Sequence, residues 1–299
     1  MKRYLLALAA TTIIGGAQAQ QLQNSSMSDL QGTFFNPSMA GVEKDNFIGF
    51  SYRTQWSGIS GSPKTATAFG SFKLPSIKMG ISGYIYNDKT GPTSRTGLQL
   101  GFAKHIIFAN NSNLSLGIET RFMQFSIDKG KLGQTLGNDP VLGGASNNTK
   151  FDAGFGMSYT NDKWQVGASV SQLTQSKLNF YSGNLTRTEQ AKLYRHYFVH
   201  GKYLIDIDGS TTITPNFLLT MLPNAPTEFQ AGARIEHMKL VWFGAGYRVH
   251  QGPMFSAGIN LMNKFSIGYA FDVYNAPLST FTNGNSANEF LIKYSFSKK

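Results

Sequence analysis

The chain has 299 residues, a net charge of +11, 32 glycines and no cysteine, with 14% charged and 13% aromatic residues. The missing cysteine excludes disulfides, thiolate metal or redox chemistry and a lipidated cysteine behind a leader, and the charge content falls well below the ~25% of soluble domains. Basic residues form no run of the kind that binds nucleic acid, so the positive excess points to lipid headgroups or an acidic partner.

Residues 1–19 read as a secretory leader: Met1-Lys2-Arg3 supply the positive start, Tyr4 to Ile14 the apolar run, and Ala17-Gln18-Ala19 a small-x-small cleavage site. That run is too short for a spanning helix, which needs ~20 apolar residues. Residues 20–44 do not alternate. Phe34 and Phe35 favour packing over a free tail, either as a plug in a lumen or as a cap on its base.

From residue 45 onward apolar and small polar residues alternate in segments of about ten, separated by turns, which is the pattern of a transmembrane β-barrel. Fourteen strands are expected, at 45–56, 63–74, 77–87, 95–108, 112–126, 150–159, 164–172, 193–203, 210–221, 226–236, 239–248, 252–261, 264–272 and 288–297. Phe151, Ala153, Phe155, Met157 and Tyr159 oppose Asp152, Gly154, Gly156 and Ser158; Leu114, Leu116, Ile118 and Phe122 oppose Ser115, Glu119 and Arg121. One parity faces lipid and the other the lumen. Charge falls on the inner parity, because an Arg at mid-bilayer on the outer one costs about 2–4 kcal/mol. The mean hydropathy is therefore slightly negative, −0.21, despite the membrane wall.

Connections after even strands are tight, whereas 127–149, 173–192 and 273–287, after odd strands, are long; 222–225 and 249–251 are tight exceptions. Barrels of this class have short periplasmic turns and long outer loops, so both termini are expected in the periplasm. Pro215 inside a strand suggests a bulge. Tyr84, Tyr86, Trp56, Tyr159, Trp164, Trp242, Tyr247, Tyr269 and Tyr274 read mostly as interfacial girdle residues, although alternation also places Tyr84 and Tyr86, with Phe69, Phe198 and Leu218, among bulky inward side chains.

Inward Arg53, Glu119, Arg121, Arg234, Arg248 and Asp272 either line a selective aqueous path or pair with one another in a closed lumen; pairing is the favoured reading. His196 and His200 share a face but stand about 13 Å apart at ~3.3 Å per residue, too far to hold one metal ion. Gly154/Gly156 and Gly244/Gly246 lie inside strands with no following helix, so they are small lumen residues and not phosphate loops. No catalytic constellation, metal site or cofactor site is expected.

Several local signatures together resemble one family. They are Phe35-Asn36-Pro37-Ser38-Met39-Ala40-Gly41, Tyr52-Arg53-Thr54-Gln55-Trp56 with Gly61-Ser62-Pro63, Asp88-Lys89-Thr90-Gly91, Asp139-Pro140 and Gly268-Tyr269-Ala270-Phe271-Asp272. Their order resembles the PorP/SprF family of type IX secretion outer-membrane proteins, with Ser38 and Phe271 departing from the usual Ala and Tyr. The resemblance implies a non-enzymatic barrel in the outer membrane of Bacteroidota. It also implies periplasmic ring lipoproteins, a peptidoglycan-linking partner, or a secreted adhesin or other cargo with its C-terminal domain as partners. Phe35, Asn36, Pro37, Gly41, Arg53, Gln55, Trp56, Asp88, Gly91, Asp139 and Pro140 become candidate contacts or plug residues. The alternative is a porin-like or hydrophobic-substrate channel.

Overall fold

The computed structural model describes residues 24–136, 147–178, 192–223, 225–276, 279 and 287–297. The expected leader at 1–19 and the Asp139-Pro140 pair lie outside the described residues.

Among the described residues fourteen antiparallel strands, together with a two-residue strand at Ile205–Asp206, form one sheet. In chain order they are β1 (Asn46–Thr54), β2 (Lys64–Leu74), β3 (Met79–Thr90), β4 (Thr93–Ile107), β5 (Asn113–Ile127), β6 (Asn147–Thr160) and β7 (Trp164–Ser171). They continue with β8 (His196–Tyr203), β9 (Thr211–Met221), β10 (Glu228–His237), β11 (Val241–Arg248), β12 (Gly252–Leu261), β13 (Phe265–Asp272) and β14 (Ala287–Phe296). Each strand pairs with its sequence neighbours, and β14 returns to β1 from Asn46↔Phe296 to Thr54↔Asn288. The sheet is a closed barrel, so no strand edge is left along the seam between first and last strands.

The alternation sorts as expected. On β4, Leu98, Leu100 and Phe102 are exposed while Gly97, Gln99, Gly101 and Ala103 are buried. Exposed Ile85, Ile118, Phe243 and Phe255 belong to a continuous apolar outer wall. The long connection after β5, read from the sequence as a loop, begins with a short helix, α1 (Lys129–Leu136); the Asp128 carboxylate starts it by accepting from the Lys131 amide at 3.2 Å.

Pro215 makes no bulge. Its register with β10 runs unbroken from Thr211↔His237 to Thr220↔Glu228. On the other side the ladder to β8 stops at Asn216↔Lys202 and resumes in the same register at Ile213↔Ile205, in the two-residue segment Ile205–Asp206. The proline, which has no N–H to give, sits where pairing with the neighbour is interrupted.

Residues 24–45 enter the lumen as three single 3-10 turns, Ser28–Leu30, Gly32–Phe34 and Pro37–Met39. Their side chains and the inward wall residues make one core: Met27, Phe34 and Phe35 from the segment; Phe47, Phe69, Tyr84, Tyr86, Phe198, Leu218, Trp242, Ala270 and Leu291 from the wall. Phe34 meets Phe69 edge-on at 5.1 Å and Tyr84 at 4.9 Å, and Phe35 meets Phe198 at 5.7 Å. Such pairs add about 0.5–1.5 kcal/mol each beyond the area they bury.

Candidate functional site: a lumen filled by the N-terminal segment

The plug follows from a few local features of residues 35–41. Asn36 is extended and its carboxamide oxygen caps the Pro37–Met39 turn, accepting from the Ser38 amide at 2.9 Å and the Ser38 hydroxyl at 2.7 Å. Pro37 supplies a preset φ at the first position of the turn. Gly41 ends the stretch at φ +67, and a Cβ there would meet Gly80 Cα at 2.8 Å. No larger residue fits that exit.

The wall is shaped to receive this turn. A Cβ at Gly80 would stand 2.0 Å from the Ala40 carbonyl oxygen, one at Gly117 2.3 Å from the Ser38 nitrogen, and one at Gly156 2.0 Å from Asn36 Oδ1. Three strands thus lack side chains where the plug backbone passes. Hydroxyls fix the depth: the Ser38 hydroxyl, its proton given to Asn36, lies 2.9 Å from the Ser158 hydroxyl and accepts from it, and the Gly41 amide donates to Ser71 at 2.8 Å.

Charged groups lock the segment ahead of the turn. Arg53 donates to Asp272 at 2.7 Å, to Glu289 at 3.2 Å and to the Ser26 hydroxyl at 2.6 Å. Arg248 faces the same Asp272 at 3.4 Å, donates to Gln230 at 2.8 Å and reaches the Ser25 carbonyl at 3.1 Å. Glu289 accepts from the Ser25 hydroxyl at 2.7 Å and the Ser26 amide at 2.8 Å. Deeper in, Arg234 pairs with Asp29 at 3.0 Å and lies over the Trp242 ring.

A second buried group belongs to the wall alone. Arg121 donates to Glu119 at 2.8 Å; Gln99 and Ser171 also donate to that carboxylate, at 2.9 and 2.7 Å. Arg53, Glu119, Arg121, Arg234, Arg248 and Asp272 are therefore all inward and all ion-paired, as favoured above. Buried pairs of this kind do not by themselves add much stability, but removal of one partner is costly.

Phe35, Asn36, Pro37 and Gly41 come together as the plug turn, while Arg53 belongs to the cluster at its N-terminal side. Among these candidates Asp88 does not pair with Arg53. Asp88 instead takes Arg95 at 3.2 Å and the Thr65 hydroxyl at 2.8 Å. Gln55 and Trp56 open the β1–β2 loop, with the Gln55 amide bonded to the Pro63 carbonyl and Trp56 at φ 52; Gly91, at φ 55, closes the β3–β4 turn and donates to the Gly61 carbonyl at 2.8 Å.

Tyr84, Tyr86, Trp242 and Tyr274 are not girdle residues; they are buried. Parity overrides nearness to a strand end: Trp242 shares its face with Arg248, and its ring covers Gly258 and Gly268. Glu289, Asp29, Ser25, Ser26 and His200 escaped notice as site residues. Glu289 was within reach, because outward Phe290, Ile292 and Tyr294 put it inward.

A closed fourteen-stranded barrel with an apolar outer wall and an occupied lumen defines a plugged outer-membrane β-barrel protein. The chain belongs to the PorP/SprF family: the family described as type IX secretion system membrane protein PorP/SprF matches residues 17–294. No curated protein matches. Among solved structures, the chain is similar to the CymD monoaromatic hydrocarbon channel, at 10% identity and TM-score 0.51, covering 90% of this chain and 93% of that one. It is similar also to the TodX deltaS2S3 mutant monoaromatic hydrocarbon channel, at 9% identity and TM-score 0.51, covering 92% and 95%. The outer membrane protein Omp33 of Acinetobacter baumannii matches at 9% identity and TM-score 0.48, covering 86% and 100%. These likenesses concern the fold.

Proposed function

We propose that this protein serves type IX secretion as a closed platform in the outer membrane, holding exported proteins or their C-terminal domains on its long loops while its short turns contact the periplasmic machinery. The observation that carries this reading is the filled lumen, in which Asn36, Arg53, Arg234, Arg248 and Glu289 tie residues 24–41 to the wall. A lumen fastened in this way favours a closed platform over an open aqueous pore. Both termini face the periplasm in this reading, because the short turns lie at the end of the barrel where β1 begins and β14 finishes. Those turns carry Lys78, Lys163, Lys239 and Lys264, which suits an acidic periplasmic partner.

Removal of the gene is expected to leave its secreted partners off the cell surface, and the purified barrel is expected to give no steady conductance in planar bilayers. Normal surface display without the gene, or steady nanosiemens opening of the unaltered protein, would favour a channel instead.

A further inference from the structure

A groove of about 730 Å³ runs along the outer wall from Phe265, Ile292 and Tyr294 of β13 and β14 across β1 to β4. Its floor follows the outward positions of β2 and β3, where Ala68, Gly70 and Gly83 leave the surface low; Ile48, Phe50, Leu98, Leu100 and Phe102 rise on either side. The register lays these residues in rows: Ile48↔Gly70↔Gly83↔Leu100, then Phe50↔Ala68↔Ile85↔Leu98, then Tyr52↔Ala66↔Asn87↔Thr96.

The next row is Thr54↔Lys64↔Lys89↔Ser94. Two exposed lysines stand directly opposite each other on the outward parity, at Cβ separations of about 4.5–5.5 Å where like charges repel. Among the described residues neither makes an ion pair, and the adjacent Asp88 is turned inward to Arg95. Exposed Tyr52 and Tyr269, both in register with Phe290, mark the aromatic belt one row below, so the lysine row sits at headgroup level. From Lys64 to Gly70 is about 20 Å of strand at ~3.3 Å per residue. At a tilt near 40° this descends ~15 Å, one hydrocarbon leaflet.

From this charge pair above an acyl-sized groove, we propose that the wall over β1 to β4 is a specific site for a phosphorylated lipid of the outer leaflet, of the lipid A class, with phosphate between Lys64 and Lys89 and an acyl chain over Ala68, Gly70 and Gly83. The choice of leaflet rests on the orientation given above. The phosphate cancels the repulsion across the row, and the chain fills the space that small residues leave.

Native mass spectrometry of the full barrel in detergent tests this with bisphosphorylated lipid A, its dephosphorylated form and phosphatidylglycerol. Lipid A is expected to be retained at least tenfold better than the dephosphorylated form. Lys64→Gln with Lys89→Gln should remove that preference, Ala68→Phe should weaken binding of both forms, and Lys104→Gln, an outward lysine at the opposite end, should change nothing. Each variant is first checked for a folded barrel by its heat-modifiable mobility. Equal retention of both forms, or indifference to the double substitution, would overturn the site; preference for phosphatidylglycerol over lipid A would overturn the choice of occupant. Orientation is checked apart from lipid, since Thr93→Cys introduces a single thiol into a cysteine-free chain: no labelling by an impermeant maleimide on intact cells would reverse the orientation while leaving the detergent result standing.

Discussion

The side-chain amide of Asn36 lies 3.0 Å from Nε2 of His200, and the same nitrogen reaches the carbonyls of Met157 at 3.0 Å and Ala168 at 3.3 Å. One plug side chain thereby touches three successive wall strands, β6, β7 and β8. Asn36→Ala removes these contacts and the cap on Ser38. Buried groups left without partners cost about 1–3 kcal/mol each, so the plug is expected to loosen while the barrel persists. Limited proteolysis should then cut within residues 24–45, with the folded mobility of the barrel on a gel unchanged.

Gly156→Val attacks the same contact from the wall. The new side chain occupies the place of Asn36 Oδ1, so the plug turn cannot seat at its present depth. Steady conductance in planar bilayers, absent from the unaltered protein, is the expected outcome. Gly130→Ala in α1, where a new Cβ comes no nearer than 3.4 Å to the Asp128 carboxylate, controls for loss of a glycine elsewhere.

Arg53→Met leaves Asp272 with Arg248 but deprives Glu289 of its cation. A broken buried pair costs about 3–5 kcal/mol, read as a lower unfolding midpoint in a urea titration of the barrel in detergent. Adding Glu289→Gln should restore part of the loss, because the uncompensated charge is gone; a purely additive double variant would show that the two residues are not coupled.

On the outer wall, Ile118 is 60% exposed and registers with Phe102 and Phe155 at mid-height. Ile118→Arg is expected to destabilise the barrel in lipid vesicles by about 2–4 kcal/mol, whereas Asn87→Arg, near the rim, should cost about 0–1 kcal/mol. Equal costs at the two depths would contradict a membrane centred on Ile118.

At the turn before β9, the Asp208 carboxylate accepts from the Ser210 hydroxyl, the Ser210 amide and the Thr211 amide, which together hold its pKa below the ordinary 3.8. A depressed carboxyl stabilises the turn above the ordinary value and loses that effect as pH falls through the depressed one. Protease protection of residues 204–211 should therefore fade only in strong acid. In Asp208→Asn it should not vary with pH across that range.

Strands were legible because a period of two against hydrocarbon leaves little freedom: β12 begins at Gly252 and ends at Leu261, as read from the sequence. β8 starts at His196 rather than at 193, because Leu193 is drawn into a loop cluster with Met123 and Leu178. The plug had no comparable signal. Its turns are single, and its partners are remote, the Ser25 hydroxyl and Glu289 being 264 positions apart. Aromatic residues misled where position along a strand was weighed above parity, as Trp242 demonstrates. Gly156 was read as a small lumen residue, yet only the packed turn reveals that it makes room for Asn36.

The seat of the plug is built partly from β14 and from the β11 and β13 termini. Arg53 of β1 and Glu289 of β14 both hold Ser26, so that part of the seat spans the seam between the first and last strands. The seat at Ser25 and Ser26 is complete only when β14 lies beside β1, so a docked plug and a closed cylinder imply one another there.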